Sequence, residues 1–378
     1  MKTAFTDLVG VPYPIVGFNR SPGVVAAVTN AGGFGVLAAS AYTPAELDAQ
    51  LTWIEDQTGG KPYGLDLLVP EKFVPGDPDR LVASLRAQIP AGHLAFVRDL
   101  LDRYGIPEAA PHASAEHDEI AASLNPAGAA ALLDVAFRHP ISLIASALGT
   151  PPPGLVARAK TEGVAVAALV GQPRHAVRQI EAGVDLLIAQ GTEAGGHTGT
   201  IATMVLTPEI VDIAAGRPVL AAGGIASGRQ MAAALALGAA GVWCGSVWLS
   251  SQEDVANQAI KDKFLQASSS DTVRSPTRTG KPARQLRSAW HEEWERPGSP
   301  APLPMPLQPM LVNDAWQRID AAAQAGHEGA LRLESFFIGQ VVGSFQRIRP
   351  AAEITRQIVA DCEQRIADLA RTLPGAAS

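Results

Sequence analysis

Eight short apolar segments, each followed by a longer stretch of helical character, dominate the first 250 residues of this chain. Most are continuously apolar rather than alternating, which is typical of strands buried on both faces of a parallel sheet. Eight strand–helix units in about 250 residues predict a closed (β/α)₈ barrel. An open, doubly wound sheet is the alternative. The predicted strands are residues 13–16, 35–38, 63–69, 141–146, 164–170, 184–190, 218–222 and 241–245.

Composition supports a globular α/β protein with a substantial core. The 378 residues are 47% hydrophobic and 18% charged, which excludes a disordered or collagen-like chain. A net charge of −7 without a basic cluster gives no support to nucleic-acid binding. The two cysteines, Cys244 and Cys362, are too few for a disulfide framework or a cysteine zinc site. With no visible signal peptide, we expect a cytoplasmic protein.

One uncharged run, residues 231–251, is long enough to span a bilayer. Glycines at 238, 241 and 245 interrupt it, the first half is Ala-rich, and the second half is typical of a buried strand. We therefore predict a helix followed by a strand, and no membrane partner.

The predicted barrel occupies residues 1–250, with an insertion at 70–124 that carries several prolines and one helical stretch at 93–104. The insertion follows the third strand, so it is either a lid at the catalytic face or a structural decoration. Residues 268–309 are Arg-rich and then Pro-rich, which predicts extended chain. We expect 325–350 to return to the barrel. Residues 254–324 and 351–378 should form a mostly helical and extended subdomain over its mouth.

Glycines end the seventh and eighth predicted strands, as Gly223-Gly224 and Gly245-Ser246. In a (β/α)₈ barrel these two loops commonly bind phosphate through backbone amides and a helix N-terminus. Tight turns without a ligand are the alternative. The glycines lack the G-x-G-x-x-G spacing of a dinucleotide fingerprint.

The sixth predicted strand ends at Gln190 and is followed by Gly195, Gly196 and His197. Glycines leave space for a planar cofactor, and a histidine can take or give a proton near neutral pH. A structural or solvated histidine is the alternative. Glu193 is the only nearby residue of a metal-ligating type, so no metal site is predicted.

Other catalytic signals are weak. There is no nucleophile elbow and no P-loop, and Cys244 lies in an apolar strand, where a buried structural role is favoured over a catalytic one. An Arg-rich stretch suggests a phosphate or CoA patch, although solvated or ion-paired roles are favoured. It contains Arg274, Arg278, Lys281, Arg284 and Arg287.

These motifs resemble the nitronate monooxygenase family, once called 2-nitropropane dioxygenases, along most of the chain. The most specific is the segment 190–197, which reads Gln-Gly-Thr-Glu-Ala-Gly-Gly-His. The other matching segments are 31–35, 221–225, 241–246, 278–284 and 339–343. The resemblance implies an FMN-containing (β/α)₈ barrel with an added helical domain.

The resemblance also implies roles for residues at matching positions. His197 would be the catalytic base. Gln190 and Gly195 would contact the flavin, and Gly223, Gly224 and residues 243–246 would hold its phosphate. The full predicted cofactor-binding set is Gly17, Phe18, Asn19, Asp66, Gln190, Gly195, Gly196, Ala222, Gly223, Gly224, Trp243, Cys244, Gly245 and Ser246.

Two departures from the family pattern leave the substrate open. The loop after the first predicted strand reads Val16-Gly17-Phe18-Asn19, where the family usually has Gln-Ala-Pro-Met. Asp66 stands where the family usually has asparagine. An anionic Asp66 would accept hydrogen bonds but donate none, and would disfavour an anionic reduced flavin.

Three hypotheses follow for a small-molecule site. The first is oxidation of nitroalkanes or nitronates with O₂ to a carbonyl compound and nitrite, with His197 as base. The second is an NAD(P)H-dependent reductase acting on a quinone or an enoyl or steroid-type acyl-CoA, with His197 as proton donor. The third is a flavin-binding module without catalysis. A homodimer is possible in each case.

Overall fold

The computed structural model describes residues 1–67, 78–108, 126–146 and 149–373. Eight parallel strands close into a barrel, which confirms the predicted (β/α)₈ architecture. In barrel order the strands are β1 (Ile15–Asn19), β2 (Phe34–Ala38), β3 (Gly64–Leu67), β4 (Leu143–Ser146), β5 (Ala165–Val170), β6 (Leu186–Gln190), β8 (Val219–Ala222) and β9 (Gly241–Cys244). A second sheet, in the order β10-β11-β7, joins Thr272–Ser275, Ala283–Leu286 and Gly196–His197.

Helices follow most of the barrel strands, and several begin with a proline or a capping side chain. Thr43 and Glu46 form a reciprocal capping box at the start of α3, and Gly59 ends that helix in a left-handed conformation. The helices are α1 (Ala4–Val9), α2 (Pro22–Asn30), α3 (Pro44–Thr58), α4 (Pro78–Arg86), α5 (Ala91–Arg103), α6 (Pro126–Ala136), α7 (Pro153–Glu162), α8 (Pro173–Glu181), α9 (Thr203–Ile213), α10 (Gly228–Ala236), α11 (Gln258–Gln266), α12 (Ala289–Glu295), α13 (Leu307–Gln324), α14 (Glu328–Leu333) and α15 (Ala351–Ala370).

The prediction for the first strand was wrong in its boundaries. Pro14 has no N–H to donate to a ladder, and β1 begins directly after it and runs to Asn19. The segment 16–19, expected as a loop, is therefore part of the barrel wall. Residues 68–69, expected to extend the third strand, lie outside the described residues.

The barrel has an inner and an outer apolar layer, because successive side chains of a strand point to opposite faces. Val16, Phe34 and Trp243 lie in the inner layer, where Phe5 of α1 closes the amino end of the barrel with its ring 6.0 Å from that of Phe34. Val242 lies in an outer layer against the helices.

The uncharged run 231–251 folds as predicted. Its first half belongs to α10, its second half contains β9, and a short 3₁₀ helix at Ser246–Ser250 follows. None of the helices in the described part of the chain has the length and apolarity needed to cross a membrane.

A second core lies beside the barrel and joins part of the insertion to the later segment. The helical stretch expected at 93–104 is α5, whose Leu100 packs in one cluster with Trp290, Trp316 and Ile319. Residues 70–77 and 109–124 of the insertion lie outside the described residues. The expectation of extended chain throughout 268–309 was wrong at α12, where Trp290 and Trp294, one helical turn apart, bury their rings in this core.

The C-terminal helix also differs from expectation. We expected it to cover the barrel mouth, but α15 packs against α10 and α2 on the outside of the barrel. The contact is close, since a Cβ on Gly228 would lie 2.2 Å from the backbone N of Cys362. Helix α15 thus completes the outer ring, next to the helices that follow the first and seventh barrel strands.

Candidate active site

Five of the predicted site residues face the barrel interior at the carboxyl ends of their strands. The two-residue periodicity of each strand, and the inner-layer neighbours of each residue, place them there. Phe18 and Trp243 form an aromatic pair with ring centroids 5.6 Å apart. The five residues are Phe18, Asp66, Gln190, Ala222 and Trp243.

Three other predicted residues occupy outward-facing positions of their strands, for the same reason of periodicity. A Cβ on Gly17 would lie 2.7 Å from Val28 of α2. Asn19 donates from Nδ2 to Asp254 Oδ2 at 2.8 Å, so its side-chain amide is used in a contact outside the barrel interior. Cys244 belongs to the outer layer, where burial raises the pKa of its thiol to about 12. The side chains of Asn19 and Cys244 therefore do not face the barrel interior, and cofactor binding by these three residues stays a prediction.

His197 lies above the barrel mouth on β7. This two-residue strand pairs with β11, so Ala283 lies opposite His197 in the ladder. His197 Nε2 is 2.8 Å from the hydroxyl of Thr279, and that hydroxyl donates to the carbonyl of Lys281 at 2.9 Å. A hydroxyl has a single proton, so Thr279 accepts from His197. This network assigns the hydrogen to Nε2 and leaves Nδ1 as the basic nitrogen.

Two effects lower the pKa of His197 below its ordinary value of 6.5. Desolvation of the ring is the larger, and the positive charge of Lys281 adds to it. The ring nonetheless keeps contact with solvent. At neutral pH His197 is therefore a neutral imidazole that can accept a proton.

Most of the Arg-rich stretch is used inside the protein rather than as a free anion patch. Arg284 Nε donates to Thr192 O and Arg274 Nη2 donates to Thr198 O, both at 2.9 Å, so these two side chains hold the loop that carries His197. Arg278 is sandwiched by aromatic rings, with its guanidinium carbon 4.2 Å from the centroid of Trp316. These contacts favour the structural interpretation over a CoA-binding patch.

The loop after β8 has an unusual backbone. Gly223 and Gly224 have φ values of +95° and +72°, a region that side chains other than glycine rarely adopt. Neither amide N–H donates a hydrogen bond to a described residue. The first hydrogen bond of the adjacent 3₁₀ helix runs from Trp248 N to Gly245 O. The N–H of Ser246 therefore has no partner within that helix. These amides are therefore available to an anionic group.

The loops after β6 and β8 are joined through Thr203. Its hydroxyl is 3.0 Å from Glu193 Oε2 and 3.0 Å from the carbonyl oxygen of Gly223. The Glu193 carboxylate also accepts from the backbone N of Thr203, at the start of α9. Glu193 thus positions the glycine loop, a role that its sequence position alone did not indicate.

The segment 339–343, one of the motifs noted in the sequence, closes the other side of this region. Gly339 N donates to Ser246 Oγ at 2.8 Å, and Gln340 N donates to Glu193 O at 3.0 Å. A Cβ on Gly195 would lie 2.9 Å from Gly339 N, which explains the glycine there. Residues from beyond the barrel therefore complete its mouth.

Asp66 is the most unusual inward-facing residue. It is 5% exposed, and burial raises the pKa of its carboxyl to about 7. Burial therefore opposes the anionic form that the sequence analysis considered. The protonated form of the carboxyl can donate a hydrogen bond as well as accept one.

These residues fit a planar heteroaromatic cofactor with a phosphate. A Cβ on Gly196, at φ +76°, would meet nothing within 4 Å, so the loop leaves open space at the mouth. The side chains of Gln190 and Asp66 have no polar partner among the described residues, so both are available to bound ligands, and Gln190 suits the polar edge of a ring. The free amides of Gly223 and Gly224 suit a phosphate.

Sequence reasoning missed two functional contacts. Thr279 lies within the matching segment 278–284, so that motif was a signal for it, but the sequence indicated no separate role for this residue. Thr203 had no distinguishing signal, because its role depends on contacts with the loops after two different strands.

Comparisons with known proteins agree with this site. The family model for nitronate monooxygenase matches residues 2–361. Rv1533 of Mycobacterium tuberculosis strain H37Rv, provisionally named a monooxygenase, is 54% identical over 376 residues, with 99% of each chain covered. A Rhodococcus jostii protein named (3aS,4S,5R,7aS)-5-hydroxy-7a-methyl-1-oxo-octahydro-1H-indene-4-carboxyl-CoA dehydrogenase is 31% identical, with 97% of each chain covered.

Among solved structures, the nitroalkane oxidase of Streptomyces ansochromogenes is similar throughout. The TM-score is 0.77 at 27% sequence identity, and the match covers 97% of this chain and 100% of that one.

Proposed function

Because the chain belongs to the nitronate monooxygenase family and is an oxidoreductase, we propose that it is an FMN-dependent nitronate monooxygenase. In this proposal it oxidises alkyl nitronates and nitroalkanes with O₂ to a carbonyl compound and nitrite. His197 is the base that removes the α-proton of a neutral nitroalkane. When bound, the flavin supplies the redox chemistry, for which the protein side chains have no substitute.

The state of His197 is the observation that carries the proposal. Its Nε2 hydrogen is held by Thr279, its Nδ1 has no hydrogen-bond partner among the described residues, and its pKa is lowered. A base that is neutral at the working pH and held in one tautomer is what proton abstraction from a carbon acid requires. Hence Nδ1 would receive the α-proton.

Other residues would bind and orient the cofactor. The free amides of Gly223, Gly224 and Ser246 suit the FMN phosphate, and Gln190 suits a polar edge of the ring system. The Phe18–Trp243 pair provides an apolar floor that excludes water from the reacting face.

The reductive hypothesis is the second candidate, and the Rhodococcus jostii relative, which is named a carboxyl-CoA dehydrogenase, favours a CoA-linked substrate for it. There His197 would donate a proton to a carbanion of an acyl-CoA or quinone substrate. Because the pKa of His197 is lowered, less of its protonated form is present at neutral pH, which supports the oxidative function more.

An anaerobic titration of the FMN-loaded protein separates the two. Propyl nitronate is added to one cuvette and NADH or NADPH to another, and the visible flavin spectrum is recorded. Loss of oxidised-flavin absorbance with nitronate alone is expected. If the absorbance is lost with NAD(P)H alone, the protein is a reductase and the proposed oxidative function is wrong. A protein that does not bind FMN after reconstitution would refute both functions.

A further inference from the structure

Buried acids elsewhere in the protein have clear partners, but Asp66 does not. Asp254 accepts from Asn19 Nδ2 and from the backbone N of Ala256, both at 2.8 Å. Glu293 pairs with Arg103 at 2.6 Å and with Arg296 at 3.0 Å. No described residue hydrogen-bonds or ion-pairs with the carboxyl of Asp66, although it is 5% exposed. A carboxyl that is mostly buried, keeps slight access to solvent and has no protein partner is suited to contact with a bound ligand.

The register of the barrel places this carboxyl toward the mouth. Asp66 is paired with Ala38 on β2 and with Ala145 on β4, and Ala145 is an inner-layer residue. The neighbours of Asp66 on its own strand, Leu65 and Leu67, both belong to the outer layer. Asp66 therefore points to the same interior as Gln190 and Trp243.

No charged group opposes or assists the ionisation of Asp66, since burial is the only cause of its pKa shift. The inner faces of the flanking strands contribute only alanine side chains next to it. The titratable groups on the loops that follow β1, β2 and β6 do not contribute to the shift. They are Arg20, Tyr42, Glu193 and His197.

We propose that Asp66 selects ligands by charge: its neutral form donates a hydrogen bond to a bound anion, and its ionised form repels that anion. The inference rests on the proposed function, in which an alkyl nitronate is an anion and its parent nitroalkane is neutral. At a pH above 7, binding of an anion requires uptake of one proton from solvent by the Asp66 carboxylate. Binding of a neutral ligand requires none.

Two inert ligands of the same shape test the proposal on the FMN-loaded enzyme: butyrate, which is anionic, and butyramide, which is neutral. The measurement is the Kd of each, from perturbation of the flavin absorbance, between pH 6 and 9. We expect the Kd of butyrate to rise about tenfold per pH unit above pH 7, as one-proton linkage requires, and that of butyramide to stay constant. In Asp66→Asn both should be independent of pH. His197→Asn should keep the slope, because the proposal assigns the proton uptake to Asp66.

A butyrate Kd without this slope, or a slope that persists in Asp66→Asn, would overturn the proposal, as would failure of butyrate to bind at pH 6. Should Asp66→Asn not fold, infrared spectra of the wild-type enzyme at pH 8.5 decide. Butyrate must then induce the C=O band of a protonated carboxyl, and its absence overturns the proposal. Failure of the proposed function is a separate outcome. If the enzyme shows the slope but does not oxidise propyl nitronate, the inference about Asp66 stands and the proposed function is wrong.

Discussion

Thr279 Oγ1 lies 2.8 Å from Nε2 of His197, and this hydrogen bond joins two parts of the chain that are 82 residues apart. His197 belongs to the loop after β6, whereas Thr279 lies between β10 and β11. Both β10 and β11 also hold the loop that carries His197, because Arg274 and Arg284 donate hydrogen bonds to carbonyl groups of that loop. The region that follows the barrel therefore sets the tautomer of the proposed base.

Replacement of the base should affect proton abstraction most. We expect His197→Asn to retain FMN and to lower kcat/KM for a neutral nitroalkane by about 10²–10⁴-fold, the usual contribution of a general base. Preformed nitronate, which has already lost its α-proton, should be affected less. Steady-state kinetics with both substrates test this, with His175→Asn on α8 as a control that changes neither value. A loss of only twofold would remove His197 from the mechanism.

Loss of the Thr279 hydroxyl should leave both tautomers of His197 accessible. We expect Thr279→Val to lower kcat/KM for the nitroalkane by up to about tenfold, consistent with the ~1 kcal/mol net value of one hydrogen bond. Thr279→Ser keeps the hydroxyl and should restore the rate. If Thr279→Val and Thr279→Ser behave alike, the hydrogen bond has no role in catalysis.

The pH profile follows from the direction of the His197 shift. Since the base must be neutral and its pKa is lowered from 6.5, the fall in kcat/KM for a neutral nitroalkane that is due to protonation of His197 should lie below pH 6.5. An inflection above pH 6.5 that disappears in His197→Asn would contradict the assignment.

The glycine loop after β8 should be sensitive to a single methyl group. In Gly223→Ala the added Cβ would lie 3.0 Å from Ala194 N and the residue has φ +95°, so the loop must shift. We expect a loss of stability of about 1 kcal/mol and roughly tenfold weaker FMN binding. Gly216→Ala is the matched control, because φ is +79° there but nothing lies within 4 Å of its Cβ. The control should lose similar stability and bind FMN normally, as fluorescence titration can check.

Asp66 should also make stability depend on pH. Its pKa is raised from 3.8 to about 7 in the folded protein, so its favourable contribution is complete below pH 4 and is lost as pH rises through 7. We expect Asp66→Asn to raise Tm relative to the wild type more at pH 8 than at pH 5. Thermal unfolding at both values measures this, and an equal change at both would show that Asp66 is ionised throughout.

The barrel could be predicted because its signal is local. Buried parallel strands such as β5 and β6 are short, continuously apolar and separated by helices, and these properties are visible in a window of about ten residues. The glycine motifs after β6 and β8 were found for the same reason, since the positive φ values of Gly196, Gly223 and Gly224 favour glycine. Roles for these residues came from the family resemblance and stay proposals.

Other features depended on contacts between distant residues. A boundary error of a few residues in β1 hid the fact that Phe18 faces inward while Gly17 and Asn19 face outward. Helix α15 is amphipathic, but only its packing on α10 decides that it closes the ring rather than covering the mouth.

The amino-acid sequence alone determined the class of fold, the order of its strands and the position of the glycine loops, because these depend on backbone preference and local hydrophobic period. The tertiary structure alone decided the protonation chemistry. The charge state of Asp66 depends on burial by the whole barrel, and the tautomer of His197 depends on a hydroxyl from another segment. Desolvation and hydrogen bonding arise from the three-dimensional surroundings of a group, which no local window of sequence contains.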